Sequence, residues 1–166
     1  IPKILATVAA HPESARLLFA SFAARFRPAG AGEGPEAVRQ RFVASLDGVQ
    51  DLREDLLLRA LADLVEATVR TNAFTRAADR DHVAFKIRST DLQHVPPPRP
   101  LYEIFVHSPG MEGIHLRAGR IARGGLRYSD RPEDFRTEVL GLMKTQTVKN
   151  AVIVPMGAKG GFVLKG

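Results

Sequence analysis

With 166 residues, 45% hydrophobic and 25% charged, the chain is long enough for one globular domain with a helical extension, and it can bury a core. No apolar run approaches the roughly 18–20 residues of a membrane span, and the first ten residues lack the basic start, apolar centre and cleavage site of a secretory leader, so neither membrane nor secretion is indicated. The absence of cysteine excludes disulfides and thiolate metal sites and suits a reducing, cytoplasmic compartment, while the net charge of +6 is compatible with nucleic acid or acidic metabolites.

Leu18, Phe22 and Phe26 recur at helical spacing, so Ser14 to Phe26 is expected to be a helix, and Pro28 with Ala29-Gly30-Ala31-Gly32 ends it in a linker. Helical periodicity returns from Pro35 to Leu46 and from about Val49 to Thr71, broken at Asp47-Gly48, with Leu57, Leu61, Leu64 and Thr68 as the apolar stripe. The charges of Asp51 to Arg59 read as a solvated face. After Asp81 the texture changes. His82 to Arg88 is a strand candidate, and the proline run from Pro96 to Pro100 imposes an extended connector. Leu101 to His107 and Gly113 to Gly119 read as a β-hairpin turned at Pro109-Gly110. Asp130, with Pro132 and Glu133 following, resembles a capping box that starts a helix running to about Lys149, and Ala151 to Pro155 is expected to be a buried strand. The expected class is α/β (α+β): N-terminal helices followed by part of a mixed β-sheet domain. Residues 1–34 are expected to form a helix and linker, 35–81 a helical segment, and 82–166 the beginning of the sheet domain. Both termini are expected to be cuts in a longer protein, because the chain opens on Ile1-Pro2 without methionine and stops at Lys165-Gly166 after a glycine-rich turn and an apolar run.

Three places carry possible chemistry. On the last helix Phe135, Val139, Leu142, Gln146 and Lys149 follow four-three spacing, so an apolar stripe turns polar at its end. Lys149 can simply complement the helix C-terminal dipole; facing a cleft, it and Gln146 can bind a carboxylate together. Next, Pro155-Met156-Gly157-Ala158-Lys159-Gly160-Gly161 sets a lysine among glycines at the carboxyl end of the expected strand, where ligands commonly bind. No Ser or Thr follows that lysine, and the glycine spacing is wrong for a phosphate-binding P-loop. Third, Arg123-Gly124-Gly125-Leu126-Arg127 places a cation beside paired glycines. The wider set Arg117, Arg120, Arg123, Arg127 and Arg131 is also compatible with a nucleic-acid backbone, although Tyr128 is the sole nearby aromatic for stacking. No metal site is expected.

In this order the three elements resemble the substrate domain of the amino-acid dehydrogenase superfamily. The stretches Ile121 to Arg131, Asp134 to Gly141 and Val148 to Pro155 resemble the large bacterial NAD-specific glutamate dehydrogenases almost word for word. The resemblance is strong over about residues 101 to 164, looser from Arg41 to Phe74, and not traced in the first 34. It implies that Lys159 is the catalytic lysine, that Gln146 and Lys149 bind the α-carboxylate, and that Arg123, beside Gly124, stands where the smaller enzymes have a lysine for the side-chain carboxylate. Two departures accompany it: the turn before Lys159 is one glycine shorter than in the smaller enzymes, as is the lysine-to-proline interval.

The implied reaction is reversible oxidative deamination of L-glutamate to 2-oxoglutarate and ammonia, an amino-acid catabolic step with NAD as cofactor. No dinucleotide fingerprint occurs in the sequence, so NAD is expected to be bound mainly by a Rossmann domain outside this chain, in a cytoplasmic homo-oligomer. The chain alone is expected not to turn over. A dehydrogenase for another amino acid, an arginine-rich nucleic-acid module, and a regulatory or oligomerisation domain that kept the motif without chemistry are the competing readings.

Overall fold

The computed structural model describes residues 2–28, 33–75, 81–150 and 156–165. They divide into two compact units, 1–66 and 67–166. The linker residues 29–32 and the expected strand 151–155 lie outside the described residues.

The first unit is helical: α1 (Pro2–Ala10), α2 (Pro12–Phe26), α3 (Pro35–Ser45) and α4, which runs Leu52–Ala67 and ends in the second unit. Proline opens α1, α2 and α3, a position where its missing N–H costs nothing. The break at Asp47-Gly48 is a single 3-10 turn, Leu46–Gly48. Leu17 and Leu18 of α2, Val38 and Phe42 of α3, Leu46 and Leu58 form the core. The expected α4 stripe is therefore displaced: Leu58 is fully buried whereas Leu64 is exposed. Helix α4 also stops earlier than periodicity indicates, because Thr68–Thr71 is strand β1, where β-branched Thr and Val suit a pleated ladder.

The second unit is a mixed six-stranded sheet of order β1-β2-β3-β4-β6-β5, comprising β1, β2 (Val83–Ile87), β3 (Tyr102–His107), β4 (Met111–Arg117), β5 (Leu126–Tyr128) and β6 (Ala158–Leu164). All neighbours are antiparallel except β5 and β6. The β3–β4 hairpin turns at Pro109-Gly110 as expected, closed by the Ser108 N–H to the Met111 carbonyl at 2.8 Å. Helix α5 (Phe135–Asn150) covers one face, packing Phe135, Val139 and Met143 on Ile114, Leu116 and Val163. Leu116 is fully buried, a contribution of about 1.5–3 kcal/mol from its side chain. Glu103 of β3, nearly enclosed, accepts both Nε and Nη2 of Arg136, so α5 is also docked by a charge-assisted fork.

The expected capping box at Asp130 and Glu133 is not formed. Ser129 is still tied to the sheet through its N–H to Phe162 O at 2.8 Å, and residues 131–134 then make a turn before α5 begins. Asp134 O accepts the first helical N–H, from Glu138 at 3.0 Å, while the Ser129 hydroxyl accepts the Arg131 N–H and donates to the Glu138 carboxylate.

Candidate functional site

Lys159 is not in a glycine turn; it is the second residue of β6. Its partner across the ladder is Leu116, so it lies on the face that α5 covers, together with Gly161 and Val163. Along that face Gly161 sits against Val139, where a Cβ would be 2.5 Å from Val139 Cγ2, and Gly157 sits against Met143 and Thr147. Lys159 lies between these two contacts and is half-buried.

Arg123 precedes β5 and is exposed, but its backbone is fixed. It bridges Gly157 in parallel: its N–H reaches Met156 O at 3.3 Å, and its carbonyl accepts the Ala158 N–H at 3.0 Å. Gly124 lies so close on the Ala158 carbonyl that a Cβ there would coincide with it, which is why this position holds glycine. Gly125 O then accepts the Gly160 N–H at 3.0 Å, and β5 continues the same parallel register through Leu126 and Gly160.

Gln146 and Lys149 occupy the last turns of α5, half-buried and exposed respectively. The buried line of the helix runs through Phe135, Val139 and Met143 toward Thr147, so Leu142, Gln146 and Lys149 lie along its flank rather than at its centre. The join to the strand is made by Thr147. Its hydroxyl donates to Met143 O at 3.1 Å and accepts the Gly157 N–H at 2.9 Å. The structure thus brings the three carrying elements together around Gly157: the connector of Arg123, the end of α5 and the start of β6. The motifs of the sequence do not include Thr147; its one mark there is that of a polar residue four places after Met143 on a line otherwise apolar.

On the opposite face His115 pairs with Gly160, and its Nδ1 is buried without a hydrogen-bond partner among the described residues. Burial, with the neighbouring Arg117 cation, holds its pKa below the usual histidine value. Among the described residues no group of His, Asp and Glu is gathered to hold a metal ion. A groove of about 350 Å³ in the helical unit is lined by Ser21, Arg25, Pro35, Glu36, Arg39 and Glu66, none of them a site residue expected from the sequence.

The family model described as bacterial NAD-glutamate dehydrogenase, catalytic domain, matches residues 41–166, a span containing Arg123, Gln146, Lys149 and Lys159. The chain belongs to this family. It is 54% identical over 167 residues to an NAD-specific glutamate dehydrogenase of Halomonas elongata, covering 98% of this chain and 10% of that protein. The proteins of that name from Mycobacterium tuberculosis and Pseudomonas aeruginosa are 52% and 48% identical, covering 93% and 96% of the chain. The likeness therefore extends into the first 34 residues, beyond what the motifs alone indicate. The chain spans about a tenth of the length of these relatives. No described helix is long and apolar enough to cross a membrane.

Family membership raises the question of NAD. A dinucleotide is held by a glycine-rich turn between a parallel strand and a helix N-terminus. Here the parallel strand β5 passes to α5 through Ser129-Asp130-Arg131-Pro132-Glu133-Asp134, which has no glycine, so these residues do not build that cradle.

Proposed function

We propose that this chain is the substrate-binding part of an NAD-dependent glutamate dehydrogenase of the amino-acid dehydrogenase superfamily, acting in oxidative deamination of L-glutamate to 2-oxoglutarate and ammonia. The observation that carries the reading is the meeting of the Arg123 connector, the end of α5 and the start of β6 at Gly157, secured by backbone and hydroxyl hydrogen bonds. The names of the relatives support it.

In this reading glutamate, a dianion at its two carboxylates, is held at both ends. Lys149 with Gln146 takes the α-carboxylate, and Arg123, brought close by Gly124, takes the side-chain carboxylate. Two anchored ends leave the Cα with one orientation. Lys159 then serves as the proton-exchanging amine for the water that adds to the imine carbon and for the departing ammonia. NAD, when bound, supplies the hydride acceptor; it is held mainly outside this chain, and no step is routed through it here. The protein is expected to act as a cytoplasmic homo-oligomer without nucleic-acid or membrane partners.

Substitution in the full-length protein tests the assignment. Lys159→Ala is expected to lower glutamate-dependent kcat by roughly a thousandfold, as loss of a general acid–base group does, with an unchanged circular dichroism spectrum. Retained turnover would reject the assignment of Lys159. Arg123→Leu is expected to impair glutamate far more than leucine or phenylalanine as substrate; equal loss for all of them would show that Arg123 does not read the side-chain carboxylate.

A further inference from the structure

We propose that Thr147 is a positioning residue for the glutamate site, its hydroxyl holding the end of α5 in register with the start of β6. The inference rests on the reading of Lys159, Gln146 and Lys149 given above. Thr147 follows Gln146 directly and precedes Lys149 by two residues, while its partner Gly157 precedes Lys159 by two. One side chain therefore couples the two groups of site residues.

The bonding gives that coupling a direction. A hydroxyl has a single proton, and Thr147 spends it on the Met143 carbonyl at 3.1 Å, which leaves its lone pairs for the Gly157 N–H at 2.9 Å. The Gly157 carbonyl meanwhile accepts the Ala118 N–H at 3.0 Å, so one peptide group faces the helix and the other faces the sheet. There is no slack in the joint: a Cβ on Gly157 would lie 2.5 Å from Thr147 N and 2.6 Å from Met143 O. The parallel bridge between Gly157 and Arg123 brings the third segment under the same constraint.

Thr145 supplies an internal contrast. It makes the same bond within the helix, to Gly141 O at 3.1 Å, but is exposed, and among the described residues no hydrogen bond joins its side chain to a strand. A helical back-bond alone therefore does not distinguish Thr147; the second bond does. Replacing the hydroxyl by a methyl group leaves the buried Gly157 N–H without a partner, and the helix end must shift for water to reach it.

Steady-state kinetics of the full-length enzyme test this. Thr147→Val is expected to lower kcat/KM for glutamate roughly tenfold to a hundredfold, the scale of an ångström-sized misplacement, with KM for NAD changed less than about twofold. Thr147→Ser keeps the hydroxyl and should restore the parent values; Thr145→Val should match the parent. If Thr147→Val does not fold, Thr147→Ala, which leaves room for a water, decides by the same criterion. Glutamate constants within about twofold of the parent in the folded variant overturn the proposal, because a merely structural residue would change stability and leave the folded fraction's kinetics alone. Lys159→Ala separates the two levels. If it is inactive while Thr147→Val is normal, the positioning role alone fails; if it is active, the site reading fails and this proposal with it.

Discussion

Gly124 and Gly125 look equivalent in the sequence, yet a Cβ at Gly124 would coincide with the Ala158 carbonyl, whereas one at Gly125 would meet nothing within 4 Å. The obstacle at Gly124 is backbone inside a paired register, which cannot rotate away. Gly124→Ala is therefore expected to destabilise the full-length protein by about 2 kcal/mol or more, while Gly125→Ala stays within about 0.5 kcal/mol, compared by their urea unfolding midpoints. His115 gives a pH dependence at the same scale. Its folded pKa lies below the ordinary 6.5 because burial and Arg117 disfavour the imidazolium, so the unfolded chain binds the proton more readily. Stability is then full above about pH 6.5 and declines as pH falls through that value toward the folded pKa. In His115→Leu the unfolding midpoint should lose this part of its slope between neutral and mildly acidic pH.

Between elements, the docking of α5 on the sheet combines an apolar line with the Glu103–Arg136 fork. Arg136→Met strands a carboxylate whose side chain is only 8% exposed. It should cost about 2–4 kcal/mol, at the lower side of the range for breaking a buried pair because Arg136 itself is partly solvated. Met at both positions should recover much of that loss, which a double-mutant unfolding comparison would read. Much of this element scale was legible in advance. The change of texture after Asp81 marks β2, strand-forming composition marks β3 and alternation marks β4, while the Pro109-Gly110 turn marks the hairpin and four-three spacing marks α5. The misses have physical causes. The apparent cap at Asp130 fails because Ser129 remains hydrogen-bonded to Phe162 and the chain must turn before it can wind. Strand β6 is hidden because Gly160 and Gly161 read as a loop, yet both lie in the ladder under close neighbours: the buried Val139 side chain occupies the space beside Gly161, and the Ile114 carbonyl crowds that beside Gly160. Of the candidate site, the cations and glycines were legible as a combination of motifs. Thr147 shows in the sequence only as a polar residue on an apolar line, and its bond to Gly157 depends on a contact made across the chain.

At the scale of the whole molecule, the two units have separate cores, the helical one around Phe42 and Leu58 and the sheet unit around Leu116 and Val139. The expected division of labour makes a further prediction: residues 1–166 alone, given glutamate and NAD, should produce no reduced nicotinamide by absorbance, whereas the full-length protein should. Turnover by the chain alone would relocate the cofactor-binding residues into it.

The ladder around β6 also limits how this region can change over evolutionary time. β6 is clasped on both sides, antiparallel to β4 and parallel to β5, with the Arg123 bridge continuing the parallel side. Adding or deleting a single residue within the paired stretch, between Gly157 and Lys159, would turn Lys159 onto the sheet's other surface, because side chains alternate with a period of two. The segment works as a ruler: a one-residue difference, such as the glycine by which this turn is shorter than in the smaller enzymes, has to be taken up outside the paired stretch or by a bulge.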